Sequence, residues 1–327
     1  MYPLQSRNTG RTMKVEVLDK GMFSLIVDSG RVGRQRDGFC ESGPMDSQAY
    51  HWANFLAFNL DGTPCIEAIG EMELQVDQDC VIAVTGREPS LLINGESAEV
   101  YQTYAVEAGS HIRFGSKLLG SKTYLAICGN WQVPKVVGSA CTVVREKLGG
   151  LDGKGSALVK GDCFKISANT KPKEKPELRV LPQQYREDYG FVESIRVVPG
   201  YQYSSFSRVA VRAFETSTYT VSTSIDRMGF RLTGESVASD MVRMRSEAIH
   251  LGAIQVPGDG QPIVMMCDRQ TLGGYPKLGC VSPCDISRLA QAVPGEKVNF
   301  TFQNEEEARA DWLLMTSRRR RLEGEIL

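Results

Sequence analysis

The densest run of groups able to do chemistry lies between Gly252 and Val281, GAIQVPGDGQPIVMMCDRQTLGGYPKLGCV. Ala253 to Val256 reads as a strand, Pro257-Gly258-Asp259-Gly260 as a turn, and Pro262 to Cys267 as a second apolar run. The chain then turns polar at once, with Asp268, Arg269, Gln270, Thr271, Gly273, Gly274, Tyr275 and Lys277. A strand ending in a polar loop is a common way to build a site, because the strand fixes where the loop's side chains start. Gly273-Gly274 lets the backbone take positive φ or approach a ligand closely. Arg269 can grip an anion with paired bonds, and Lys277 offers a point charge. Asp268 can serve as a base, or it can simply hold Arg269. Residue types alone leave two readings: a binding or catalytic loop, or a surface hairpin with a local ion pair.

A second charged pair sits in SIDRMGFRL, Ser224 to Leu232, where Arg227 and Arg231 stand four apart. On one strand both point to the same face. They face either an anionic substrate or surface carboxylates, and residue types alone favour the surface pairing.

The elements that must position these groups are mostly strands. Lys14 to Val17 and Ser24 to Val27 read as short strands. Gly43-Pro44-Met45-Asp46 opens a helix, with Asp46 as its N-cap and Ala49, Trp52, Ala53 and Leu56 as one apolar face. Glu73 to Val76, Cys80 to Thr85, Ser90 to Ile93, Ile112 to Phe114 and Tyr124 to Cys128 follow as strands, with Asn94-Gly95 a hairpin signal. Strands at such short intervals predict a barrel or sandwich. Gly149 to Gly155 fails the phosphate-loop template, since Leu148 and Gly155 occupy its defining positions, so it reads as a flexible loop.

Asn169 to Pro176, NTKPKEKP, reads as a linker. The second half repeats the strand pattern at Ile195 to Val198, Thr218 to Thr223 and Lys297 to Phe302, with a short helix from Asp285 to Ala290. The organisation expected is a tail over 1–12, a first β-barrel domain over 13–168, a linker over 169–190, a second β-barrel domain over 191–303 and a helical tail over 304–327. In that tail Trp312, Leu313 and Met315 are expected to dock on the body.

Composition narrows the function classes. The 327 residues are 42% hydrophobic and 24% charged, which is enough apolar material for real cores. The net charge is -1, so no global field favours nucleic acid or an anionic membrane. No run of 18 apolar residues exists, and the first twelve residues lack the apolar stretch of a secretory signal. Nine cysteines without a C-x-x-C pair point to reduced thiols in the cytoplasm. Three dispersed histidines predict no metal site.

Four stretches resemble the allophanate hydrolase subunit 2 family, which includes the C components of 5-oxoprolinases and the regulator KipA and is also named for a biotin-dependent carboxyltransferase domain. They are Ser42 to Asp46 (SGPMD), Gly138-Ser139 through the glycine-rich loop to Gly161-Asp162, Ser224 to Gly234, and Gly252 to Val281 with its trailing Asp285, Arg288 to Gln291 and Pro294-Gly295. The chain departs from the family pattern at Glu41, at Ala140-Cys141-Thr142 and at Leu272, which bears on substrate contacts of the first domain.

The resemblance implies a mainly β fold, a tandem of cyclophilin-like β-barrel domains with a few short helices. It implies one subunit of an ATP-dependent 5-oxoprolinase that opens the lactam of 5-oxo-L-proline to glutamate, together with a KipI-like B component and an A component. ATP, bound with or by those partners, makes the unreactive amide electrophilic. Asp268, Arg269 and Lys277 are then the expected catalytic residues. Arg227, Arg231, Gln255, Gln270, Thr271, Gly273, Gly274, Tyr275 and Asp46 are the expected substrate-binding residues. Two alternatives come with the resemblance. One is a carboxyltransferase served by biotin on another protein, since this chain has no biotinylation sequence; the other is a regulator that binds a kinase inhibitor.

Overall fold

The computed structural model describes residues 12–167, 178–191, 193–239, 241 and 244–326; the stretch read as a linker, Asn169 to Pro176, lies outside them. The fold is mostly β, as the strand spacing predicts. In Thr12–Asp19 and Met72–Val76 alternate residues are buried, so Met13, Val15 and Val17 share a face with Met72, Leu74 and Val76. Such alternation belongs to strands with one face on a core. Both lie in a seven-stranded antiparallel sheet, ordered Asn130–Trp131, Cys163–Ser167, Thr12–Asp19, Met72–Val76, His111–Ser116, Pro89–Ile93, Glu96–Ala98. The last two strands form the hairpin expected at Asn94-Gly95, and both turn residues take positive φ (53° and 85°).

A five-stranded sheet completes the first half, ordered Phe23–Val27, Cys65–Ile69, Lys122–Ile127, Cys80–Gly86, Tyr104–Val106. Its Ile66, Ile82, Val84 and Leu125 join the apolar rows of the larger sheet in one core. Lys122–Ile127 is buried along its whole length, because the other face of this sheet is covered as well. Part of that cover is helix α1, Ser47–Leu56, capped by Asp46 Oδ1, which accepts from Gln48 N (3.1 Å) and Ala49 N (3.0 Å). Its stripe of Ala49, Trp52, Ala53 and Leu56 packs on Val27, Cys65, Ala83 and Ala126.

The second half is built on an eight-stranded sheet, ordered Lys297–Val298, Tyr219–Ile225, Gly229–Thr233, Ile263–Met265, Ala253–Gln255, Lys277–Val281, Ile195–Pro199, Phe300–Phe302. Its two edge strands are consecutive in the chain, so the sheet curls until it is nearly closed. Helix α2, Arg208–Thr216, sends Phe214 into the interior against Phe300 and Tyr219. Helix α3, Pro283–Ala290, adds Ile286, Leu289 and Ala290. One member of this second core comes from the first half: Met45, 1% exposed, inside the SGPMD turn.

Helix α4, Glu305–Ile326, lies across both halves, with Asp311 paired to Arg196 and Leu322 in the α1 cluster. The docking residues expected on it need correction. Trp312 and Leu313 are exposed, and Met315 is half-buried. The stripe that docks repeats every seven residues, Ala308, Met315 and Leu322, and Leu313 falls off it.

Candidate functional site

The seam between the halves holds a buried network centred on Arg227. Arg227 occupies the turn between Tyr219–Ile225 and Gly229–Thr233. Asp226 closes that turn by accepting from Met228 N (2.7 Å) and Gly229 N (3.1 Å), and Arg227 reaches across to the first half. Its Nε and Nη2 donate to the two oxygens of Asp268 (2.9 and 3.0 Å). Its Nη1 donates to Glu67 Oε1 (2.5 Å), and Nη2 also reaches Gly43 O (2.6 Å). Burial opposes the charge on Arg227, but the Asp268 and Glu67 carboxylates outweigh it and raise the pKa well above the ordinary value.

Asp268 also accepts from Ser42 Oγ at 2.7 Å. Ser42 is a non-glycine residue with φ of 58°, and its amide donates to Cys267 O (3.1 Å). Such a conformation costs about 1–3 kcal/mol and persists only where the surroundings enforce it. Glu67 Oε2 accepts from Met45 N (2.8 Å) and Tyr124 OH (2.7 Å), and that hydroxyl accepts from Asp46 N (2.8 Å). Every group in this chain of bonds is nearly water-free, which strengthens each interaction and makes an unpaired member costly.

Lys122 stands beside this network without joining it. Its Nζ lies 5.2 Å from the Phe230 ring centroid, and among the described residues no carboxylate is within ion-pair distance. Burial pulls its pKa down to about 8; Glu67 opposes the fall and Arg227 adds to it. Gln291 holds the Lys122 backbone, accepting from its N (2.8 Å) and donating to its O (3.0 Å), and also donates to Asp46 (2.9 Å).

Another buried cation, Arg31, meets only backbone among the described residues. Its Nε donates to Val136 O (3.1 Å) and its Nη2 to Cys141 O (2.8 Å), while Nη1 is buried without a partner. The glycine-rich loop packs here and is not the loose segment expected. Gly149 is buried at φ 67°, and a Cβ there would stand 2.0 Å from Cys141 O and 2.8 Å from Arg31 Nη2. Only glycine permits that approach.

The residues nominated from sequence do not form one cluster. Asp268 and Arg269 lie in a turn closed by Arg269 N donating to Met266 O (3.2 Å), and their side chains diverge. Asp268 holds Arg227, not Arg269; Arg269 instead donates to Glu41 Oε2 (3.0 Å) and Ile249 O (3.1 Å). The departure at Glu41 thus supplies the counter-charge to Arg269. Lys277, on Lys277–Val281, faces Glu247 (3.5 Å). Arg227 and Arg231 do not share a face, because Arg227 lies in the turn before the strand. Arg231, more than a third exposed, pairs with Asp259 in the far turn.

Asp46 spends Oδ1 on the α1 cap and Oδ2 on Tyr189 (2.7 Å) and Gln291. Burial pushes its pKa up, and the bonds from Ala49, Tyr189 and Gln291 pull it back. Gln255 is buried with Nε2 unpartnered, 2.9 Å from where a Cβ on Gly273 would lie. Leu272–Gly273 pairs with Glu247–Ala248; Gln270 and Thr271 are half-buried, and Gly274 and Tyr275 are exposed.

Sequence reasoning missed Glu67, Tyr124, Lys122 and Arg31 and gave Ser42 no role. The available signal was a charged or phenolic residue inside an apolar strand, Glu67 in CIEAI and Lys122 with Tyr124 in KTYLAI. A charge in such a run needs a partner from elsewhere.

Three of the four motifs that carry the resemblance meet directly at this seam, and the glycine-rich one lies beside them through Arg145, whose Nη2 reaches Asp268 O at 3.5 Å. Residues 37–302 match the family model for the carboxyltransferase domain, subdomain A and B. The chain belongs to this family. It is 31% identical over 296 residues to the 5-oxoprolinase C component of Haemophilus influenzae, which covers 90% of this chain and 93% of that protein. The C component of the Escherichia coli 5-oxoprolinase is 30% identical over the same shares. Among solved structures, Kluyveromyces lactis urea carboxylase superposes with a TM-score of 0.82 at 26% identity over 90% of this chain. The chain spans only 28% of that protein, and 56% of another solved chain that it matches with a TM-score of 0.78.

Proposed function

We propose that this chain is the C component of an ATP-dependent 5-oxoprolinase in the cytoplasm, working with the A and B components. The observation that carries this reading is coverage. Two proteins named as the C component of 5-oxoprolinase align along nearly their whole length, whereas the urea carboxylase contains a domain of this kind within a far longer chain. The seam supplies suitable chemistry. Opening a lactam adds water to the carbonyl carbon, breaks the C–N bond and delivers a proton to the nitrogen. Asp268, oriented by Arg227, is the proton acceptor, and the Ser42 hydroxyl bonded to it relays the proton from water. Lys122, with no carboxylate partner among the described residues, serves the developing negative oxygen.

Arg269 and Lys277 hold the two ends of the Gln270–Tyr275 loop through Glu41 and Glu247, and that loop, with Gln255 behind it, contacts the substrate. The four cations singled out in the sequence, Arg227 at the seam and Arg231, Arg269 and Lys277 away from it, each already face a carboxylate, which disfavours them as a cradle for a triphosphate. ATP therefore belongs to the partner components in this reading.

The test is co-expression with the A and B components and measurement of ATP-dependent glutamate release from 5-oxoproline. Release that requires this chain supports the proposal. Equal release without it removes the proposal. The family description favours one alternative, a carboxyltransferase, which predicts instead that a biotinylated carrier protein co-purifies with this chain.

A further inference from the structure

A cleft of about 980 Å³ opens between α1, residues 185–193, α3 and α4, and none of Ser42, Glu67, Arg227 and Asp268 lines it. Five arginines and five carboxylates form its charged wall. Three of those arginines come from α4, which lies beyond residues 37–302 and so outside the family match. Much of the wall is internally satisfied. Arg196 grips Asp285 and Asp311, Arg319 faces Glu323, and Arg321 faces Glu325.

Three lining groups are left wanting. Glu187 is half-buried and, among the described residues, accepts no hydrogen bond and meets no cation within ion-pair distance. Burial raises its pKa to about 7; Asp46, Asp285 and Asp188 add to the rise, and Arg288 opposes it. Arg288 is 8% exposed and donates from Nη2 to Glu193 O (3.2 Å) and Ser194 O (3.0 Å), with Asp285 4.0 Å away. Its buried Nε has no acceptor. Arg318, on the α4 wall, makes no ion pair among the described residues.

A wall of balanced charge repels a polyanion through its carboxylates and a polycation through its arginines. A ligand that carries both charges meets a partner for each. We infer that this cleft binds a small zwitterion, an α-amino acid whose ammonium group pairs with Glu187 and whose carboxylate is received by Arg288 and Arg318. The inference goes beyond the reaction proposed for the seam and does not depend on it.

Calorimetric titration of the full chain tests it, with L-glutamate as the zwitterionic probe and glutarate as a dicarboxylate without an ammonium group. Saturable binding of L-glutamate is expected, with none for glutarate. Glu187→Gln should weaken binding about ten-fold, the size of one lost charge-assisted bond. Should that variant fail to fold, Arg318→Gln on the exposed side of α4 carries the same expectation. Asp268→Asn, in the seam, should leave the affinity unchanged. The inference is overturned if glutarate binds as tightly as L-glutamate, if neither probe binds, if the cleft variants bind undiminished, or if Asp268→Asn abolishes binding.

Discussion

Arg227 and Arg231 stand four residues apart in one motif and meet opposite fates. Arg227 is 11% exposed and holds two carboxylates, Asp268 and Glu67, from different halves of the molecule. Arg231 is 36% exposed and pairs with Asp259 in a turn of its own sheet. The residue types are identical, so what separates them is the dielectric around each and the reach of the backbone. A buried pair leaves an uncompensated charge when broken, while an exposed pair is replaced by water. The seam is therefore where charge ties the halves together, and where the proposed chemistry is placed, while in the outer turn it does little for assembly.

The largest expected effect breaks the buried side of this contrast. Arg227→Ala leaves Asp268 and Glu67 unpaired, and denaturant unfolding should show a loss of about 3–5 kcal/mol. Lys122→Met should sharpen it through pH. The ordinary lysine value of 10.5 falls to about 8 in the folded chain, so the unfolded chain holds this proton more firmly. The penalty is full below about pH 8 and is relieved as pH rises toward 10.5. The stability of wild type relative to Lys122→Met should therefore rise by about 3 kcal/mol across that window, read from unfolding midpoints at each pH. Glu41→Ala strips Arg269 of its counter-charge but leaves the carbonyls of Ile249 and Met266, so a loss of about 2 kcal/mol is expected in the same assay. Arg231→Ala should change stability by no more than about 0.5 kcal/mol. A loss at Arg231 equal to that at Arg227 would erase the distinction between the two regions.

Much of the framework was legible because it rests on local patterns. Alternation in Met72–Val76, the Asn94-Gly95 turn and the Asp46 cap each follow from neighbours within a few residues. The pairing of Arg227 was not legible, because Glu67 lies 160 residues away and Ser42 lies 185 away. Nothing near Arg227 distinguishes it from Arg231 until the halves are brought together. The glycine-rich loop misled for a related reason. Its glycines read as freedom, whereas Gly149 is required by the close approach of Cys141 O and the Arg31 guanidinium. The α4 stripe was misjudged because the bulk of Trp312 and Leu313 outweighed the seven-residue spacing that decides which face docks.

The central claim is that the Ser42–Asp268–Arg227 seam is the working site of a lactam-opening complex. Its most direct test is ATP-dependent glutamate release by the complex reconstituted with Asp268→Asn, alongside Arg231→Ala. The amide keeps an acceptor for Arg227 and Ser42 but cannot take a proton. Turnover should fall by about a hundred-fold or more in Asp268→Asn, with the three components still co-eluting, and stay at wild-type level in Arg231→Ala. Full turnover by the Asp268→Asn complex would contradict the account.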